Sequence, residues 1–235
     1  MAIQTRSMLK NRARTFLCVC ILLCMNVGKQ DAQTGRKQFD ANIRGIQEGN
    51  LAAIARAGES QNPAYIPYLR AMLTAAVEYG GQSPAETQAI VALLKLGDHQ
   101  SMLELECSLL TVEPEIVNDI AGKLLPKVKG WFAVRQYFFL LDQDEIYTNN
   151  LKRPQYNTDA LFGGIYPSHW AVRYLSEVVP WAPFPAIHDT DDPRIPQLAQ
   201  QWKSWIRNNR HRLERLRPQG RKGLTFSSAA CPVEK

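Results

Sequence analysis

The sequence predicts an all-α fold. Three observations carry that expectation: apolar residues return at helical spacing rather than in strict alternation, the gaps between apolar stretches hold helix stops and caps, and a two-helix pattern comes back after about 40 residues. The clearest stretch runs from Ala89 to Leu105. Ile90, Leu93, Leu94 and Leu96 leave the first helix few polar positions, so it is expected to be buried on most sides. Gly97 stands where a helix stops in the left-handed conformation that glycine adopts without a steric penalty. Asp98 can accept from the free amides of the next helix, whose apolar stripe is Met102, Leu105, Leu109 and Leu110.

Taken in order, residues 33–38 read as a polar linker and residues 39–217 as the folded body. Phe39, Ile43 and Ile46 start a first helix that Glu48-Gly49-Asn50 breaks, and a second runs from about Leu51 to Ala57. Asn62-Pro63 opens a third, with Ile66, Leu69, Leu73 and Val77 on one side, and Gly80-Gly81 stops it. Ser83-Pro84 with Glu86 is a strong restart, combining a cap, a proline at the first helical position and an acid in the first turn. Glu113-Pro114 starts another helix, carrying Ile116, Val117, Ile120 and Leu124. Gly130 then leads into Trp131–Leu141, which is apolar nearly all round and therefore central.

The character changes at 142–167, an acidic and then Tyr/Asn/Gly-rich span with little periodicity, read as a loop insertion. Prolines 180, 183, 185, 193 and 196 exclude a helix interior over 180–196. Gln197 to Arg217 reads as a terminal capping helix, apolar through Leu198, Trp202, Trp205, Ile206, Leu213 and Leu216 and basic on its other side. The Gly/Ser/Ala composition of 218–235 reads as a disordered tail.

The recurrence has two strands of evidence. Leu51–Glu59 and Ile90–Asp98 both end in basic, apolar, Gly, acidic, with Gly58 and Gly97 39 residues apart. Ala133-Val134-Arg135 and Ala171-Val172-Arg173 match at an offset of 38. A helical hairpin cannot bury its apolar face alone, whereas stacked hairpins share a continuous core. This pattern resembles the HEAT and HEAT-like (armadillo-type) repeat family. Glu59 and Asp98 match the family's acidic residue after the turn, and Val134-Arg135 and Val172-Arg173 match the Val-Arg pair of a unit's second helix. The resemblance covers roughly residues 39–180. It implies an α-solenoid of three to four hairpins and a role in protein–protein contact or scaffolding. The insertion after Leu141 and the incompleteness of every copy depart from the family pattern.

Residues 1–32 read as a signal peptide. Arg6, Lys10, Arg12 and Arg14 precede a short apolar run, Phe16 to Val27. That run falls short of the ~20 residues of a membrane-spanning helix. Export to a periplasmic or secreted location is the expectation; an uncleaved anchor at 16–27 or a lipid on Cys24 are the alternatives. Removal of the leader leaves Cys107, expected to be a small core residue, and Cys231 in the tail, and the two are expected to stay apart.

The net charge of +6 is concentrated at the ends, in the leader and in Lys203, Arg207, Arg210, Arg212, Arg215 and Arg217 with Arg221 and Lys222; residues 33–201 are net acidic. The overall balance is therefore a weak argument for nucleic acid. The sequence contains no P-loop, dinucleotide glycine pattern, Gly-x-Ser-x-Gly or paired histidines. His188-Asp189-Thr190-Asp191-Asp192 lacks the glycine and distal glutamate of a calcium loop, and Asp192-Pro193 is more simply a helix start. No catalytic, cofactor or metal residue is assigned. Tyr147, Tyr156, Tyr166, His169 and Trp170, in and beside the insertion, are the expected partner-binding residues, because long loops with exposed aromatics often carry recognition. The expected function is an exported, non-enzymatic HEAT-like scaffold that binds another protein. Its rivals are a nucleic-acid-binding protein using the basic C-terminal helix, and an envelope enzyme with its site in 142–196, around Asp159, His169 and His188.

Overall fold

The computed structural model describes residues 35–77, 83–110, 113–151, 166–189 and 192–218, together with Leu224 and Cys231. The protein is all-α: every regular element among the described residues is a helix. The leader and anchor readings fall on residues outside this set, and no described helix is long and apolar enough to cross a membrane.

The first helix, α1, spans 35–47. The linker expected at 33–38 is thus helical from residue 35, since Arg36, Lys37 and Gln38 are good helix formers and extend α1 by an exposed turn. α2 (Leu51–Glu59) is capped by the Asn50 side chain, which accepts from the Ala52 and Ala53 amides at 3.0 and 3.1 Å. A single-turn 3-10 helix, Pro63–Tyr65, leads into α3 (Ile66–Val77). α4 (Pro84–Lys95) opens with the expected reciprocal box: Glu86 N–H donates to the Ser83 hydroxyl, and Ser83 N–H to the Glu86 carboxylate at 2.8 Å.

α4 ends at Gly97, with φ at +76°, and α5 (His99–Leu110) follows. Asp98 caps α5 by accepting from the Ser101 amide at 3.1 Å and hydroxyl at 2.7 Å, and it holds Arg70 of α3 at 2.6 Å. Burial alone would raise the Asp98 carboxyl, but the Ser101 and Arg70 hydrogen bonds outweigh it and leave the group below its ordinary 3.8.

The two glycines aligned as a repeat do different work. Gly97 is a turn with open space beside it. Gly58 lies inside α2, where an added Cβ would sit 2.8 Å from the Ala92 backbone, so it sets how closely α2 crosses α4.

α4 is the wall between two buried clusters. Ala89, Ala92 and Leu93 pack with Ile46, Ile54, Tyr65 and Leu69 of the earlier helices. Val91 and Leu94 face the larger core, which runs on through Leu213. The helix therefore has apolar partners on both sides, as its composition predicted.

Next come α6 (Pro114–Val117), a widened π turn (Asn118–Leu124) and α7 (Leu125–Val128). Pro126 gives a physical reason for the widening. It lacks the N–H that would close either an ordinary bond to Gly122 or a wide one to Ala121. The Ala121 carbonyl is taken instead by the Tyr137 hydroxyl at 2.8 Å. α8 (Gly130–Leu140) is the central helix, buried at every position but Phe139. Its first amides are capped from the far end of the chain: Trp131 N–H donates to Leu216 O at 3.2 Å and Phe132 N–H to Pro218 O at 3.0 Å.

α9 (Asp144–Leu151) occupies the start of the expected insertion, so 142–167 is not wholly a loop; residues 152–165 lie outside the described set. α10 (Pro167–Val178) packs beside α8, with Ala133 and Val134 of one and Ala171 and Val172 of the other all buried. The proline-rich connection stays irregular up to α11 (Ile195–Leu213), which docks by Leu198, Trp202, Ile206 and Leu213.

The tail needs correcting at three points. Pro218 caps α8, Leu224 packs on the larger core, and Cys231 is joined to Cys107 of α5 by a disulfide, their Cα atoms 5.6 Å apart. Both cysteines were expected to stay apart. Cys107 is on a partly exposed side of α5, within reach of a chain that returns past α8.

Candidate partner-binding face

α9 and α10 are fastened at their beginnings. The Asp144 carboxylate accepts from the Ser168 amide at 3.0 Å and the Ser168 hydroxyl at 2.6 Å, so one helix's first residue caps the next. Pro167 starts α10 with its φ already set, directly after Tyr166.

From that anchor a row of half-buried rings and a guanidinium runs along α10. Tyr166 and His169 meet edge to face with centroids 5.4 Å apart. Trp170 and Tyr174, one turn apart, lie parallel at 5.8 Å. Arg173 covers both, its guanidinium carbon 5.9 Å from the Trp170 ring centre and 5.3 Å from that of Tyr174. Tyr174 in turn stacks at 6.2 Å on the buried Tyr137. Burial pushes the Tyr137 phenol well above its usual value, with Tyr174 and Glu177 adding to the effect, so it stays a donor to Ala121.

The π turn seats this row. Trp170 Nε1 donates to Asn118 Oδ1 at 2.8 Å, and Gly122 leaves the space: a Cβ there would stand 3.3 Å from the indole ring. His169 Nδ1 and Arg173 Nε are buried atoms without a hydrogen-bond partner among the described residues. Both are donor-capable groups on the same helix as the aromatic row.

Three of the five expected binding residues, Tyr166, His169 and Trp170, are thus brought together. Tyr147 is on α9, its side chain outside the described set, and Tyr156 lies outside it altogether. Tyr174, Asn118 and Gly122 belong to the same arrangement without having been singled out from sequence, and Arg173, noted there only as part of the repeat, joins them. The signal was available in part: Arg173 and Tyr174 stand three and four residues after Trp170, hence on its side of a helix.

The rival sites fare differently. Asp159 lies outside the described residues, and His188 is exposed in the irregular connection. Asp192 turns onto its neighbour Arg194, accepting from its amide at 2.9 Å and its guanidinium at 2.6 Å, which lowers its carboxyl to about 2. Among the described residues no group of three or more His, Cys, Asp or Glu is placed to hold a metal ion.

On α11, Lys203 is buried against Asp142, Arg207 lies over Phe138, Arg212 lies 3.6 Å from the centre of the Trp181 ring, and Arg210 pairs with Glu214 at 2.7 Å. Lys203 is therefore part of the buried body, whereas Arg207, Arg210 and Arg212 stay exposed beside the groups they touch.

No protein-family model, curated protein or solved structure matches the chain.

Proposed function

We propose that this protein is an exported, non-enzymatic scaffold, a HEAT-like α-solenoid that binds another protein through the α9–α10 face. The observation that supports the binding face most directly is the run Tyr166, His169, Trp170, Arg173 and Tyr174 along one helix. Aromatic residues and arginine dominate the energetic centres of protein interfaces, because they combine large contact area with polar tips and few rotatable bonds.

The solenoid reading draws support from the neighbour-to-neighbour packing of α2 on α4, α4 on α5 and α8 on α10. Export draws support from the Cys107–Cys231 disulfide, a bond that persists in oxidising compartments.

The test has two parts. Intact mass and thiol labelling of protein from fractionated cells should show an oxidised chain lacking the leader outside the cytosol; a full-length, reduced cytosolic chain removes the export reading. A photo-crosslinking residue at position 169 should give an adduct of discrete mass in vivo that Arg173→Ala abolishes. Equal crosslinking from position 52, exposed on α2 at the other core, would show that the α10 face is not the binding surface.

A further inference from the structure

A cleft of about 640 Å³ lies between the two cores, away from α10. Its walls are the end of α2, the α4–α5 turn, the α7–α8 junction and the turn that follows α11. Ligand sites favour such junctions, and the volume is within the range of small-molecule sites. Leu96, Met102, Leu103 and Val128 give it an apolar lining.

The charge in the cleft is unbalanced. Lys95 is set against Glu59, and the buried Glu106 against Arg135. Lys127, Lys129 and Arg217 then remain on the lining, none with an acidic partner among the described residues. Lys129 and Arg217 are brought together by the backbone. Lys129 has φ +60° and ψ −158°, a conformation that L residues rarely adopt, and Gly130 follows at φ +69°. A Cβ on Gly130 would lie 2.3 Å from the Arg217 carbonyl oxygen, so the two segments touch only because glycine is there. Three cations thus share one cleft with an apolar lining, an arrangement complementary to an anion that carries an apolar body.

We infer that this cleft binds an amphipathic anion, its acidic head between Lys127, Lys129 and Arg217 and its apolar body against Leu96, Met102, Leu103 and Val128. Lys127, Lys129 and Arg217 are exposed at their side chains, so replacing them leaves the core intact. The site is independent of the α10 face, and its occupancy does not require a protein partner.

The probe is dansyl-aminoundecanoate, read by its fluorescence on titration into the oxidised protein, with the corresponding uncharged amide as control. The carboxylate should bind saturably, more weakly as salt is raised, and more tightly than the amide. The triple variant Lys127→Ala/Lys129→Ala/Arg217→Ala, with its helical circular dichroism unchanged, should bind the carboxylate about tenfold more weakly and the amide as before. A second variant, Leu103→Trp, at a half-buried lining position, should reduce both probes alike by filling the apolar floor. No saturable binding of the carboxylate, or equal affinity in wild type and triple variant, overturns the proposal. Equal affinity for carboxylate and amide does so too, since it would leave an apolar pocket without a head-group site.

Discussion

The same tripeptide, Ala-Val-Arg, is used in two different ways on adjacent helices. On α8 and α10 the Ala and Val are buried alike, so the helices present the same face to each other. The arginines part company. Arg135 is 2% exposed and paired with Glu106, inside the largest core. Arg173 lies over Trp170 and Tyr174 at the half-buried edge. The difference comes from what stands opposite each helix. α8 is enclosed on nearly every side, so its arginine needs a carboxylate, because an unpaired buried charge is strongly unfavourable. α10 keeps one side partly open, and there the ring faces suffice. A sequence repeat can therefore report register faithfully and chemistry not at all.

The sharpest way to break the comparison is at the buried pair. Glu106→Ala removes the buried carboxylate opposite Arg135 and should cost about 3–5 kcal/mol in urea unfolding, whereas Glu106→Leu with Arg135→Met should recover most of it. If the single variant costs under about 1 kcal/mol, Arg135 is solvated and the contrast with Arg173 disappears.

Next in size is the entry to α8. Gly130→Ala forces a left-handed alanine against the Arg217 carbonyl and should cost about 2–4 kcal/mol. Gly97→Ala, with φ +76° but open space, should cost only about 1 kcal/mol. Equal losses would mean that the C-terminal turn gives way easily.

Asn118→Ala removes the acceptor for the Trp170 indole and should cost about 1 kcal/mol, with a change in tryptophan fluorescence. Asp98→Asn keeps a capping side chain but loses the charge opposite Arg70, and should cost up to about 1 kcal/mol at neutral pH. The native Asp98 carboxyl is depressed, so its contribution is complete above the ordinary 3.8 and is lost as pH falls through the lower native value. The gap between wild type and Asp98→Asn should therefore close in acid; a gap that widens there contradicts the assignment. The smallest effect belongs to Arg173→Ala, about 0.5–1 kcal/mol, which should weaken partner capture far more than it weakens folding.

Local signals made much of this molecule legible. The Ser83-Pro84-Glu86 start, the Gly97 stop, the Asp98 cap and the enclosed character of Trp131–Leu141 all depend on neighbours within a few residues, and they appear where the sequence puts them. Less legible were features made between distant segments. The Cys107–Cys231 bond joins residues 124 apart, and spacing alone says nothing of the distance between them. Gly58 looked like a second Gly97 because both precede an acid, but one meets a neighbouring helix and the other meets solvent. The seat for Trp170 is made by Asn118 and Gly122 of the widened turn, which stand far from it in sequence, so nothing local announces it.

The cap on α8 has a consequence for timing. On a ribosome the start of the central helix emerges roughly 85 residues ahead of Leu216 and Pro218, whose carbonyls take up its first amides. At common elongation rates that interval is on the order of 5–20 seconds. Throughout it this helix, buried along nearly its whole length in the finished fold, has an open end and exposed sides. A nascent chain of this design offers chaperones a long window, and a stop codon anywhere before residue 216 would deprive the central helix of the piece that closes it.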